Sequence, residues 1–512
     1  MIKLGEDRLS LASFKAIVID NESIEISETA LQKIDACFNF LKEFSNHKLI
    51  YGINTGFGPM AQYKISDENI LQLQYNLIRS HSSGSGQPIS ALVSKAVVLS
   101  RLNSMLQGYS GVHRDIILLL ADMINKNVLP CIFEHGGVGA SGDLVQLAHL
   151  GLALIGEGDV WYEGVLQPAS EVFPKVGLQP LSIKIREGLA TINGTSAMTG
   201  LGMLNVLQAH QLVDWGIMLS AITNEIMEVY DDHFSQELNI VKHHKGQNNV
   251  AAKFRHILQD SKMIRSRTEH LYQPEKINHD VFEDKVQEYY SLRCIGQVIG
   301  PIEDTLLQAE HTVVNELNSV NDNPVVDVAN KNIFHGGNFH GDYISFEMDK
   351  LKIAITKLTM LSERQLNYLL NSKLNEKFPP FVNLGTLGLN FGMQGIQFTA
   401  TSTTAENQTL SFPMYVHSIP NNNDNQDIVS MGFNAALMTQ KVIENAYQVM
   451  AIQAMTLVQA VDYLKCQDKM AAQTLKVYES IRSVFPVYIE DRTLYNDALQ
   501  VKTWMQNYSP LV

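Results

Sequence analysis

Cysteine is scarce: the 512-residue chain has four, Cys37, Cys131, Cys294 and Cys466, far apart and without a CxxC pair. Such spacing argues against a disulfide framework and predicts reduced thiols in a cytoplasmic protein. Basic residues are outnumbered, 39 Lys+Arg against 53 Asp+Glu, for a net charge of −14. With no basic patch, binding to nucleic acid by phosphate neutralisation is not expected. Long apolar runs are missing too. The best, Leu147 to Ile155, contains His149 and falls far short of the roughly 18 apolar residues of a membrane span. The first residues, Met1-Ile2-Lys3-Leu4-Gly5-Glu6, lack the apolar segment of a signal peptide. No membrane partner is therefore expected.

What the chain has is apolar content, 45%, enough over this length to bury a large core and to exclude disorder as the main state. Helix-period stretches predict helices over Ala91–Gln107, Ser196–Tyr230, Tyr343–Asn371 and Phe433–Lys465, with Pro301 opening another that runs to about Asn318. Helices this long must cover one another's apolar faces, which predicts a mainly α fold with long antiparallel helices in a central bundle. Strand-like runs are few: Ala16–Ile19, Ser23–Ile26 and Val325–Ile333 around an Asn-Lys-Asn turn. No linker separates independent domains. The expected organisation is a smaller loop-rich region over 1–200 and a long-helix region over 201–512.

Five polar, glycine-rich islands interrupt the helical pattern: Tyr51–Gly58, Gly136–Asp143, Ile192–Thr195, Gly336–His340 and the Asn/Asp run from Asn421 to Gly432. Any one of them alone reads as a loop or a helix cap. The second also spells GxGxxG with Gly137, Gly139 and Gly142, which admits an NAD-dependent oxidoreductase as a reading of a different class. Pro130 in the segment that would be the strand, and Asp143 where a pyrophosphate would sit, count against it. Asp424 and Asp427 lack the glycine and closing glutamate of an EF-hand. His243, His244, His335 and His340 have no zinc-site spacing, so no metal is expected.

Ala140-Ser141-Gly142, within Gly139-Ala140-Ser141-Gly142-Asp143-Leu144, resembles the signature of the histidine, phenylalanine and tyrosine ammonia-lyases. In that family an Ala-Ser-Gly triplet cyclises into the electrophile 4-methylidene-imidazole-5-one (MIO). All five islands match family motifs in the expected order, and Tyr290-Ser291-Leu292-Arg293-Cys294 and Asn321-Asp322-Asn323-Pro324 add two more. The resemblance looks closest to bacterial tyrosine ammonia-lyases. It implies a self-made MIO with no external cofactor, and a homotetramer whose active sites combine three subunits. Glycine at 142 suits the chemistry, because its amide nitrogen must reach the carbonyl carbon of Ala140 and a Cβ would obstruct the attack.

Further roles follow from the resemblance. Tyr51 would take the β-proton as general base. Arg293 would hold the α-carboxylate with its planar fork, and Asn193 would support the carboxylate or the ring oxygen. Tyr290 would orient the amine or the ring. Ser80 and His81 would face the substrate's side chain, and Gln287, Phe339, Asn425 and Gln426 would complete the wall. His81 can hydrogen-bond an imidazole or a phenol but is wasted on phenylalanine. Where histidine ammonia-lyases carry a glutamate, this chain has neutral Gln426. The expected reaction is therefore L-tyrosine to trans-p-coumarate and ammonia, with histidine to urocanate as the alternative and phenylalanine lyase or aminomutase behind both. Gln146 departs from the family, which usually has proline there.

Overall fold

The structure, a computed structural model, describes residues 1–273, 280–282 and 285–511. Helix takes up 59% and strand 8%, so the fold is mainly α. The chain begins with β1 (Ile2–Leu4), α1 (Leu11–Val18), β2 (Ile24–Ile26), α2 (Glu28–Phe44), α3 (Ile70–His81), β3 (Ser85–Pro88), α4 (Ala91–Leu106) and α5 (Arg114–Asn125). Next come β4 (Leu129–Pro130), β5 (Phe133–His135), α6 (Leu144–Leu154), β6 (Asp159–Tyr162), β7 (Val165–Pro168), α7 (Ala169–Val176) and α8 (Glu187–Ile192). The helices α9 (Ser196–Ile226), α10 (Gln236–Ile240), α11 (Lys245–Ile257), α12 (Arg267–His270), α13 (Tyr290–Arg293) and α14 (Ile295–Leu317) follow. After the hairpin of β8 (Val325–Asp327) and β9 (Asn332–Phe334) the chain is helical again. It forms α15 (Asp342–Leu370), α16 (Ser372–Asn375), α17 (Gln394–Leu410), α18 (Gly432–Leu464), α19 (Ala472–Val484) and α20 (Tyr495–Asn507).

The longest helices form where the helical period is strongest, and α18 is buried along most of its length. In α18, Val442, Ile443, Ala446, Tyr447, Val449, Met450, Ile452, Met455 and Leu457 are all fully buried, as an interior helix requires. Contacts divide the chain into two units that are discontinuous in sequence. The first comprises 1–207, 308–349 and 413–439, the second 208–307, 350–412 and 440–512. The first unit carries an apolar cluster of Cys37, Leu41, Ile50, Ile53, Val326 and Ile333. In the second, buried amides and hydroxyls join helices: Gln365 Nε2 donates to Ser220 Oγ (3.0 Å), and Gln453 Nε2 donates to Gln365 Oε1 (2.7 Å).

Three expectations are corrected. Ala16–Ile19 is not a strand. It lies at the end of α1, whose start is fixed by Ser10 accepting from the Ser13 amide, an N-cap that outweighs β-branched content. The β2 strand does form, but as the partner of β1 in a parallel pair. Pro301 does not open its helix; α14 starts at Ile295 with Pro301 inside. The hairpin over 325–334 forms as expected. The dinucleotide reading fails on topology: β5, ahead of the glycine-rich loop, pairs antiparallel with β3 alone in a two-stranded sheet, whereas a dinucleotide fold needs an extended parallel sheet.

Candidate active site

Ala140-Ser141-Gly142 sits in the first unit, on a loop wrapped by the starts of four helices. α6 begins at Leu144, directly after the triplet. The loop also touches the approach to α9, where the Asp143 amide donates to Gly194 O (2.7 Å). The approaches to α15 and α18 reach it as well, because the Gly341 amide donates to Gly139 O (3.0 Å) and the Met431 amide to Val138 O (3.0 Å). Helix N-termini carry partial positive charge and unpaired N–H groups, so this arrangement favours negative charge developing on the triplet.

Glycine is required at two places. Gly142 has φ +72° and a Cβ there would collide with the Gly194 carbonyl. Gly194 has φ +147°, and a Cβ there would strike the Arg101 guanidinium. The two backbones are thus pressed together, and only glycine fits. Behind Gly194, buried Arg101 donates to Ala190 O (2.6 Å) and Asn321 Oδ1 (3.1 Å).

Two side-chain amides grip Ser141. Asn193 Nδ2 donates to Ser141 O (3.0 Å), and its Oδ1 accepts from the Asn323 amide (2.8 Å), which defines the orientation of the group. Gln426 Nε2 donates to Ser141 Oγ (2.9 Å). Asn323 Oδ1 accepts from the Gly336 amide (2.8 Å), tying the island that holds half-buried Phe339 into the same network. Asn425 lies exposed beside Gln426.

Tyr51 is presented by a loop whose position depends on buried Gln74. That side chain donates to Gly52 O (3.3 Å) and accepts from the Leu189 amide (2.9 Å) on α8. The Tyr51 hydroxyl accepts from the Gly58 amide (3.2 Å), and its ring stands edge-on to Phe57. Ser80 and His81 close α3. His81 Nδ1 lies 3.0 Å from Leu77 O and 3.0 Å from Ser80 Oγ. A carbonyl can only accept, so the tautomer assigned from this partner has its proton on Nδ1 and Nε2 as an acceptor. Burial lowers the His81 pKa and keeps the ring neutral.

The remaining predicted residues, Gln287, Tyr290 and Arg293, belong to the second unit. Tyr290 and Arg293 share α13, with the guanidinium 4.6 Å from the tyrosine ring centre. Gln365 Nε2 anchors this turn by donating to Ser291 O (2.9 Å). Arg293 Nε is buried with no hydrogen-bond partner among the described residues. Gln287 and Tyr290 are exposed.

Sequence reasoning missed several supports. Asp143 is the N-cap residue of α6, and its carboxylate turns away to accept from the Met198 amide (2.9 Å) at the start of α9. Burial pushes this carboxyl up to about 7. Gln74 carried no motif. Gln146 is buried, and neither its Oε1 nor its Nε2 has a hydrogen-bond partner among the described residues. It lies against Gly137, where a Cβ would collide with it.

The sequence model of the aromatic amino acid lyase family matches residues 9–483. The chain belongs to that family. It is similar to a histidine ammonia-lyase of Geobacillus sp. (strain WCH70), 36% identical over 99% of this chain and 96% of the relative. It is also similar to a tyrosine 2,3-aminomutase of Myxococcus fulvus, 36% identical over 95% of this chain and 94% of the relative. Among solved structures, a tyrosine aminomutase from Streptomyces globisporus superposes with a TM-score of 0.95 at 34% identity, over 99% of this chain and 97% of that one. This chain is a carbon–nitrogen lyase that acts on an aromatic amino acid.

Proposed function

We propose that this lyase expels ammonia from L-tyrosine, giving trans-p-coumarate, through an MIO electrophile that Ala140, Ser141 and Gly142 form on themselves. The residues fit such a group: only glycine is tolerated at 142, and amides hold both Ser141 oxygens. Once closed, with loss of two waters, the ring supplies the electrophile that ordinary side chains lack.

Around it, Tyr51 receives the β-proton, Arg293 pairs with the α-carboxylate, and Asn193 donates to the carboxylate or to the carbonyl it already holds. Tyr290 orients the amine or the ring. Ser80 and His81 meet the substrate ring; Gln287, Phe339, Asn425 and Gln426 line the rest. The family resemblance leads us to take the working enzyme to be a homotetramer whose active sites combine residues from three subunits, acting in the cytoplasm.

The observation that carries the tyrosine reading is Gln426, a neutral amide bonded to Ser141 Oγ. A carboxylate there would suit an imidazole; a phenol needs none, and its hydroxyl can donate to His81 Nε2. The second reading is L-histidine to urocanate, with the imidazole N–H as donor. The relatives are mostly histidine ammonia-lyases and support this second reading better than the first; the aminomutase of Myxococcus fulvus is named for tyrosine.

The deciding experiment offers the purified protein tyrosine, histidine and phenylalanine side by side, with products read by ultraviolet absorbance and mass. A majority of p-coumarate upholds the tyrosine reading, and a majority of urocanate replaces it with the histidine one. An intact mass equal to the unmodified sequence would overturn the MIO.

A further inference from the structure

His149 lies in the second turn of α6, the helix that starts just after the triplet. Its Nε2 accepts from the Gly84 amide (3.1 Å), and its ring stands edge-on to Phe133 with centres 5.1 Å apart. Gly84 is boxed in: a Cβ there would lie 3.0 Å from His149 Nε2, 3.1 Å from Phe133 Cβ and 3.2 Å from His135 O. Residue 84 ends the short turn that follows His81. At the other end the turn is fastened to α3 through Ser82 N to Ile78 O (3.1 Å) and Ser83 N to His81 O (2.8 Å). The two helices also pack directly, with Gly151 facing Ile78.

One rigid element therefore carries both the reacting triplet and the anchor of the turn behind His81. Five residues of helix lead from Leu144 at the start of α6 to His149, roughly 7.5 Å along the axis. To accept from a backbone N–H, the His149 ring must be neutral with its proton on Nδ1. Burial lowers its pKa and keeps it so.

We propose that His149 is a positioning residue for substrate choice, which holds the Gly84 turn and thereby fixes where His81 stands relative to the triplet. The proposal rests on the reading that His81 meets the substrate ring.

The test uses the full-length enzyme and two variants. His149→Phe keeps a flat ring against Phe133 and removes the acceptor; His149→Gln offers an amide oxygen in its place. Intact mass first establishes that each variant has lost two waters. KM and kcat are then measured with tyrosine, histidine and phenylalanine, in the parent and in a His81→Leu background. With the acceptor gone, KM for the preferred polar-ring substrate should rise about tenfold, the worth of one hydrogen bond. Its kcat should stay within about twofold, and phenylalanine should be unaffected. Glutamine should restore most of the loss, and the effect should vanish once His81 is leucine. Equal losses for all three substrates, an unchanged KM, or an effect that persists without His81 would overturn the proposal. If His81→Leu alone leaves the substrate ratio unchanged, it is the pocket reading that falls, and His149 loses its role with it.

Discussion

Gln365 and Gln146 are both buried glutamines on helices, and they are treated in opposite ways. In the second unit, Gln365 donates to Ser220 Oγ and Ser291 O and accepts from Gln453 Nε2. In the first unit, beside the triplet, Gln146 has no partner for either polar atom among the described residues. A satisfied buried amide sets the register of the helices it joins and stabilises by about 1 kcal/mol per bond. An unsatisfied one costs a similar amount or more. The same residue type therefore does structural service in the bundle and is tolerated at a cost where the chain bends around the Ala140-Ser141-Gly142 loop. Asp143 belongs with Gln146, since its Oδ1 is also buried and unpartnered among the described residues.

The widest separation between the two regions should come from Ser141→Ala. Turnover should fall to background, and the intact mass should equal that of the unmodified sequence. The melting temperature should barely move, because among the described residues the side-chain hydroxyl bonds only the Gln426 amide. Retained turnover would refute a ring mechanism. Next, Gln365→Leu should do the reverse, sparing the triplet and weakening the bundle. It leaves Ser220 Oγ, Ser291 O and Gln453 Nε2 without that partner, so urea unfolding should show a loss of about 3 kcal/mol or more. A change within error would mean that the network is repaired by water.

Asp143 gives a pH-dependent effect. Its carboxyl is raised by burial from 3.8 to about 7. Between those values the folded protein binds the proton and the unfolded chain does not. Its contribution is thus complete below about pH 4 and is lost as pH rises to about 7. Asp143→Asn can still accept from the Met198 amide and should flatten this part of the stability profile. Unfolding midpoints at several pH values check it, and an unchanged slope would show that Asp143 stays ionised in the fold.

The bundle was legible in the sequence because it is periodic and nearly free of proline. Ser196–Tyr230, Tyr343–Asn371 and Phe433–Lys465 fall within a few residues of α9, α15 and α18. Pro301 misled because a helix start is where proline is cheapest, yet α14 accepts it internally. Around the triplet, the islands carried the signal that several segments meet, and Asn193, Gln426 and Ser141 do meet. What the islands could not reveal were supports whose meaning is purely tertiary. Gln74 joins the Tyr51 loop to α8 through two bonds far apart in sequence. Asp143 caps a helix other than its own. Neither leaves a local pattern.

The finest probe of the contrast between the two glutamines is Gln146→Met. Methionine matches the length of glutamine and can fill the same space against Gly137, so the exchange removes the two unpartnered polar atoms and little else. If their burial is a net cost, the variant should be more stable by about 1 kcal/mol, seen as a shift of the urea midpoint at unchanged slope. The ring should still form, since Gln146 touches none of the reacting atoms. A loss of stability would instead mean that a buried water satisfies the amide, and Gln146 would then join Gln365 as a satisfied amide.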